Sequence, residues 1–200
     1  MSYLICQTSW LLIISNNPIS SLDLSEIPQL RILLCSYCLL SNLNVEALTN
    51  LTSISCDNNE ISELTLPNSS NLRKVYCQNN KLTSITITEP NNITLFDISN
   101  NSISVLDVSN FINLLELNIS DNQINDIDLS SSTNIHLADL RNNDLINLNI
   151  RNGIDSYRTT LIEGNSSLQT LCVDDFEFNN FEELIEYLSY DVCTIITTCN

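Results

Sequence analysis

Hydrophobic residues return every 21 positions along most of the chain. In the copy that begins at Leu51, apolar residues occupy positions 1, 4, 6, 11, 14 and 16, and Asn59 occupies position 9. The same pattern begins at six further places: Ser9, Leu30, Leu72, Ile93, Leu114 and Ile135. Seven copies in one phase, with no insertion between them, predict a solenoid of short stacked turns, because one turn alone cannot bury its apolar face.

The spacing inside each copy predicts the elements of a turn. Positions 4 and 6 alternate with polar neighbours, which is typical of the inward side of a short strand. Positions 11, 14 and 16 are expected to point inward from the returning half. So short a turn leaves little room for an α-helix, and we therefore expect extended or 3₁₀ returns. The pattern predicts a right-handed leucine-rich-repeat solenoid with a parallel β-sheet on one face.

Position 9 is the one polar position inside the apolar pattern. Six asparagines occupy it: Asn17, Asn59, Asn80, Asn101, Asn122 and Asn143. An inward asparagine can bond to backbone groups of its own turn and of the next, so we expect a structural ladder of asparagines. Cys38 replaces asparagine in the second copy and, as a poorer donor, should weaken that turn.

The repeat loses its phase after Ile150. A polar excursion over 151–158 precedes a degenerate last turn over 168–175. In 180–189 four apolar residues follow helical spacing, with Asn180 suited to the N-cap, and these predict a capping helix. We therefore expect three regions: an incomplete turn or cap in 1–8, seven repeats in 9–155, and a degenerate repeat with a helical cap in 156–200.

Several segments resemble a known family. The repeats "CQNNKLTSITI" and "LNISDNQINDIDLS", followed by "LNIRNG" and "NSSLQTLCVDD", resemble secreted leucine-rich-repeat proteins of flavobacteria and other Bacteroidetes, which are broadly internalin-like. The resemblance covers about residues 9 to 193. Ile154-Asp155 and Ser166-Ser167 depart from the asparagine pair and the Asn-Pro of that family.

The resemblance implies export, often by the type IX system, and a role at the cell surface. Residues 1–6 carry no Lys or Arg, so the chain shows no secretory signal of its own. No apolar run approaches the roughly 20 residues that span a bilayer. We expect a fragment of a longer exported, extracellular or cell-surface protein; a cytoplasmic protein is the alternative.

The charge restricts the partners. The chain has 24 acidic and 7 basic residues, for a net charge of −17. Nucleic acids and anionic membranes need clustered Lys and Arg, so neither is an expected partner.

Half of the eight cysteines belong to the repeat. Cys35, Cys56 and Cys77 share position 6, and Cys35 with Cys38 forms a C-x-x-C. Thiols stacked at about 4.8 Å in a straight file do not suit a disulfide or one zinc ion, so we expect buried free thiols and no metal. Cys172 and Cys193 flank the predicted helix and are expected to form a disulfide. Cys6 and Cys199 have no assigned pairing.

Recognisable catalytic chemistry is missing from the sequence. No phosphate-binding loop and no nucleophile motif occurs, and His136, the only histidine, falls on a strand surface. Asp97 and Asp139 form only a weak carboxylate pair. We expect neither an enzyme nor a cofactor.

The outward positions of the strand sheet are the expected ligand-binding face. Its residues change from apolar to polar along the stack: Leu11, Ile13, Ile32, Leu34, Tyr37, Lys74, Tyr76, Asp97, Glu116, Asn118, Asp139 and Arg141. An exposed apolar patch in the first turns can mark a partner site, and the alternative is that a missing N-terminal segment covers it. An alternative is calcium on a row containing Asp107 and Asp128, although that row is broken at Thr86 and Asn149.

Two functions remain open. One is a module that binds a protein or glycan, as adhesion at a surface or as an intracellular scaffold. The other is a passive spacer with uniform outward residues.

Overall fold

The computed structural model describes residues 10–155 and 159–199. In these residues the chain is a leucine-rich-repeat solenoid of about nine turns with a C-terminal helix, as predicted. The incomplete turn expected in 1–8 and Cys6 lie outside the described residues. In chain order the strands are β1 (Leu11–Ile13), β2 (Ile32–Leu34), β3 (Ser53–Ser55), β4 (Glu63–Thr65), β5 (Lys74–Tyr76), β6 (Ser84–Thr86), β7 (Leu95–Asp97), β8 (Glu116–Asn118), β9 (Asp126–Asp128), β10 (Leu137–Asp139), β11 (Asn147–Asn149), β12 (Thr160–Leu161), β13 (Thr170–Cys172) and β14 (Thr194–Ile196).

The main sheet contains eight parallel strands in the order β1-β2-β3-β5-β7-β8-β10-β12. From β1 to β10 each residue pairs with the residue 21 positions later, as in Leu33 with Ile54 and Val75 with Phe96. Because the register never slips, position 4 always points into the core, and all four of these side chains are fully buried. The outward residues of this sheet form what we call the strand face.

The returning half of each turn is extended. Strands β14-β13-β11-β9 form a second parallel sheet, and β4 pairs with β6. One 3₁₀ helix, Pro90–Asn92, appears in this half of the described chain. Position 14 supplies the inward residue here, for example Ile127 and Leu148. These two halves enclose one continuous apolar core.

Position 8 adopts a left-handed backbone conformation in seven successive turns. The residues there have φ between 53° and 61°: Asn16, Tyr37, Asn58, Asn79, Asn100, Asp121 and Asn142. Asn and Asp tolerate this conformation better than other residues with a side chain, which explains why they dominate the position. Gly164 takes the same place in the eighth turn, with φ 78°.

The loss of phase after Ile150 reflects longer turns. Ala138 pairs with Thr160, and Leu148 pairs with Leu171, in each case beyond the regular interval. Leu171 then pairs with Ile195, across a longer interval still. The last turns therefore lengthen progressively, and the degenerate turn predicted in 168–175 contains β13, which belongs to the second sheet.

Helix α1 (Phe178–Tyr187) closes the end of the solenoid. It buries Phe181 and Ile185 and packs Leu184 partly against the core, and its C-cap residue Leu188 packs there too, as the apolar spacing predicted. The predicted N-cap, Asn180, is wrong, because the helix already begins at Phe178. Phe178 also packs against the core, and this contact favours the earlier start.

The expected disulfide between Cys172 and Cys193 is wrong in its second partner. Cys172 is bonded to Cys199, with a Cα–Cα distance of 6.2 Å, and Cys193 is a free thiol. Cys172 lies opposite Ile196, the last residue of β14, so Cys193 and Cys199 are each three residues from that position. Cys193 precedes the strand, about 10 Å away along it if the chain were extended. Beyond Ile196 the chain bends at Thr197 and brings Cys199 to Cys172.

Candidate binding surface

The strand ends are held by the asparagines at position 9. The Nδ2 group of Asn59 donates to the carbonyl oxygens of Cys56 and, one turn earlier, Cys35, each at 2.9 Å. Its Oδ1 accepts a hydrogen bond from the backbone N–H of Leu40 at 3.0 Å. Each side chain therefore joins two turns.

The same bonds repeat along the stack. Equivalent contacts to the preceding turn are made by Asn80, Asn101, Asn122 and Asn143. Asn17 bonds to the carbonyl oxygens of Ile14 and Ser15. The ladder fixes the spacing of the strands and hence the shape of the strand face.

Two positions depart from this ladder. Cys38, in place of asparagine, makes the bond to the preceding turn, since its Sγ donates to the Ile14 carbonyl oxygen at 3.5 Å. Sequence analysis missed Asn165, which is fully buried and donates to the carbonyl oxygens of Leu140 and Ile162. Its signal was an Asn directly after Gly164, displaced from the expected position by the longer turn.

The cysteines at position 6 form a file inside the core. Cys35, Cys56 and Cys77 are fully buried and free, and the sulfur atoms of Cys56 and Cys77 lie 3.3 Å apart. Burial, followed by the neighbouring Cys56, raises the pKa of the Cys35 thiol far above its usual value. The hydrogen bond with Cys77, followed by burial, raises the pKa of Cys56. Neutral thiols in this environment act as apolar packing.

The N-terminal end of the strand face is apolar. Ile13 is 63% exposed, and Leu11, Ile32 and Leu34 are half-buried. At the rim of this sheet Tyr37 is 60% exposed. Leu39, two residues further, is 53% exposed. Large apolar side chains in contact with water at one end of a sheet suit the contact region of a partner.

The middle of the strand face combines a cation with an aromatic ring. Lys74 is exposed and Tyr76 is half-buried, on opposite ends of β5. Burial raises the pKa of the Tyr76 phenol, and the carboxylates of Glu116 and Asp97 raise it further. The ring therefore lies at the border between the apolar end and an acidic region.

The C-terminal part of the face is acidic and only partly neutralised. Arg141 donates to both carboxylate oxygens of Asp139, which raises the pKa of the guanidinium group. Asp97 accepts bonds from Ser99 through one oxygen, Oδ1. Asn118 accepts the equivalent bonds from Ser120. Asp139 is thus paired with a cation, whereas Asp97 and Glu116 form no ion pair within the described residues.

A groove on the second sheet was not anticipated from the sequence. Its volume is about 590 Å³, and it runs across β9, β11 and β13 to the Cys172–Cys199 disulfide. Val105, 83% exposed, stands at its other end. No periodic signal in the sequence marks this groove, which is lined both by regular turns and by the longer last turns.

The acidic row considered for calcium has a local structural role. The Asp107 carboxylate accepts the backbone N–H of Ser109, and the hydrogen bonds to Ser109 lower the pKa of Asp107. Asp128 accepts the backbone N–H of Ser130 in the same way. Both carboxylates at position 15 therefore hold the backbone of the turn that follows them. In residues 10–155 and 159–199 no group of three potential ligands is placed to hold a metal ion. No helix in these two segments is long and apolar enough to cross a membrane.

Solved structures share this architecture. The functional domain of InlJ from Listeria monocytogenes, which includes a cysteine ladder, aligns with a TM-score of 0.69 at 22% identity, over 81% of this chain and 40% of that domain. A leucine-rich-repeat protein of Leptospira interrogans aligns with a TM-score of 0.54 at 16% identity, over 92% of this chain and 59% of its own.

A chain of the LRIM1/APL1C complex aligns with a TM-score of 0.55 at 14% identity, over 94% of this chain and 43% of that one. No protein-family model and no curated protein matches the sequence. The chain thus spans less than two thirds of the length of each of these three structures. At these identities the likeness establishes the fold: this chain has the solenoid architecture of internalins and other leucine-rich-repeat proteins.

Proposed function

We propose that the chain is a non-catalytic protein-binding module and that its strand face is the binding surface. One observation carries the proposal: inward residues repeat every 21 positions, whereas the outward residues of the same strands change from apolar to acidic. A passive spacer needs only the inward pattern. Variation confined to one exposed face is what recognition of a particular partner requires.

The composition of the face suits a protein partner. Tyr side chains carry a large share of interface energy, and Tyr37 and Tyr76 flank the apolar end of the sheet. The asparagine ladder holds the face rigid before a partner arrives, which lowers the entropic cost of association. The carboxylates disfavour nucleic acid.

The setting proposed for this module is the cell surface, as part of a larger exported protein. The Cys172–Cys199 disulfide supports this proposal, since disulfides persist in oxidising compartments. In this proposal 9–155 supply the seven repeats, and 156–200 supply the degenerate last repeat and the helical cap. The similarity to the InlJ functional domain is consistent with this setting but concerns the fold alone.

Capture of partners by matched variants tests the function. Wild-type protein is immobilised and exposed to extracellular protein from host or neighbouring cells, beside a strand-face variant (Ile13→Ser, Leu39→Ser, Tyr76→Ala) and a control variant (Val105→Ser, Tyr187→Ser). The control residues are also exposed but lie outside the strand face. We expect the first variant to lose retained proteins and the control to keep them. Equal retention by all three proteins would show that binding uses another surface, and no retention by any of them would support the spacer instead.

A further inference from the structure

The strand face has two chemically different halves on one rigid sheet. The apolar half lies on β1 and β2 and the adjoining rim, with Ile13, Tyr37 and Leu39 exposed. The acidic half lies on β7 and β8, with Asp97 and Glu116. Strands β3 and β5 lie between the two halves. A partner that covers both halves meets different chemistry at its two ends.

Among the described residues, no ion pair neutralises the carboxylates of Asp97 and Glu116 in the acidic half. Arg141 is occupied by both oxygens of Asp139. The other ion pair among the described residues, Lys81 with Glu60, lies at the outer rim. Asp121 accepts one bond from Asn142, an uncharged donor. The carboxylates of Asp97, Glu116 and Asp121 therefore keep their negative charge available to a partner.

Tyr37 supplies a second, independent observation at the apolar half. Its backbone is left-handed with φ 54°, and the equivalent residues of the six neighbouring turns are Asn or Asp. Folding alone favours Asn at this position, because an aromatic side chain is disfavoured in that conformation. Tyr37 therefore occupies a position where the backbone conformation disfavours it. Residues in disfavoured backbone conformations are common at binding sites.

We propose that the strand face binds one protein segment in a fixed orientation, with apolar side chains over β1 and β2 and Lys or Arg side chains over β7 and β8. This inference rests on the proposed function and specifies its partner. Charge complementarity sets the orientation, since reversal would place cations on an apolar surface and apolar groups against carboxylates. The Tyr76 ring, between the halves, suits a cation–π contact with the first basic residue.

The sheet also sets the spacing within the partner. From β2 to β8 there are four strand spacings, about 19 Å at about 4.8 Å each. An extended segment covers this distance with about six residues and a helix with about thirteen. The apolar and basic clusters of the partner should be separated by one of these intervals.

Selection from a library of random 16-residue peptides on phage tests the orientation. The immobilised wild-type protein is the target, and phage that also bind the variant Ile13→Ser, Leu39→Ser, Tyr76→Ala are removed. We expect enriched peptides to carry an apolar cluster and, at the predicted interval, Lys or Arg. Enrichment of acidic or wholly apolar peptides, or no enrichment, overturns the proposal.

Two strand-face variants and one control variant then separate binding from folding. Asp97→Asn with Glu116→Gln should weaken an enriched peptide about 10-fold at low salt, whereas Asp126→Asn with Asp128→Asn, on the second sheet, should leave it unchanged. Tyr37→Asn should weaken binding and yet raise the melting temperature. Unchanged affinity in either strand-face variant contradicts the orientation. Loss of captured proteins with no such peptide preference leaves the proposed function intact and rejects only this inference.

Discussion

At the scale of single residues, neighbouring positions 8 and 9 hold asparagine for different physical reasons. At position 8 the backbone of Asn58 or Asn79 is left-handed, and asparagine is favoured there because it tolerates that conformation. At position 9 the side chain of Asn59 or Asn80 is turned inward and satisfies buried backbone groups. Substitutions at the two positions should therefore have different costs.

Asn122→Ala should lower the free energy of unfolding by about 3 kcal/mol. Asn122 bonds to the carbonyl oxygens of Ile98 and Ile119 and to the N–H of Ile103, and these buried groups would lose their partner. Urea denaturation measures the change. Asn110→Ala, at an exposed site, is the control and should change it by less than about 0.5 kcal/mol. A similar small change for Asn122→Ala would show that the ladder contributes little.

The two glycines give a matched pair of substitutions. Gly164→Ala should cost more than Gly153→Ala, although the φ angles are 78° and 79°. A Cβ at Gly164 would overlap the Asn142 Oδ1 and lie 3.1 Å from the Asn142 Cα, whereas a Cβ at Gly153 has no described atom within 4 Å. We expect about 1 kcal/mol for Gly153→Ala from the backbone alone and a larger loss for Gly164→Ala. Equal losses in thermal unfolding would contradict the proposed contact.

The sequence distinguishes residue roles only where they repeat. The inward asparagines were identifiable because position 9 falls inside an apolar pattern. The left-handed turn at position 8 was not recognised, since Asn and Asp are also ordinary surface residues. Asn165 was missed because extra residues displaced it from the phase of the regular repeats.

At the scale of elements, the cap is a modified pair of turns. Helix α1 replaces the strand half of the last turn, while β14 keeps the return half and stacks on β13. The Tyr190 hydroxyl donates to the Ile162 carbonyl oxygen and accepts the N–H of Asn165. These bonds join the cap to the last complete turn, and the disulfide fixes the tail beside it.

Cys199→Ser should destabilise the protein by about 3–4 kcal/mol, because the disulfide closes a separation of 27 residues. Cys193→Ser, at a half-buried free thiol, is the control and should cost less. Unfolding in urea without reductant measures both. Peptide mapping by mass spectrometry tests the pairing itself, and a Cys172–Cys193 peptide would contradict the structure.

The helix and the strands were predictable from local apolar spacing, whereas the pairing of the cysteines was not. Periodicity tells which residues of 178–188 face the core. It does not give the register of β14 on β13, which depends on how many residues the helix and its flanking turns use. It also does not show the bend at Thr197 after β14, which brings Cys199 to Cys172.

At the scale of the whole molecule, the buried thiols make stability depend on alkaline pH. Folding raises the pKa of Cys35 and Cys56 well above 9, and burial raises the pKa of Cys193 to about 11. Below pH 9 the thiols are protonated in both states and this contribution is complete. As pH rises above 9 the unfolded thiols lose protons first, so stability falls.

The urea midpoint should therefore decrease between pH 9 and pH 11. The triple variant Cys35→Ala, Cys56→Ala, Cys77→Ala should start from a lower stability, because buried volume is lost, but should show a smaller slope with pH. Cys193, Tyr76 and Tyr190, whose pKa values are also raised, still make the midpoint of the triple variant decrease, but by less. An identical slope in both proteins would contradict the assignment to the thiols.

The central claim is that one face of the solenoid, the strand face, contacts a protein partner. Its most direct test places the photoreactive residue p-benzoylphenylalanine at Tyr76 in one protein and at Val105 in another, and irradiates each with extracellular protein. The account predicts a specific cross-linked product from position 76 and none from position 105. A product from position 105 alone, or equal products from both positions, would contradict it.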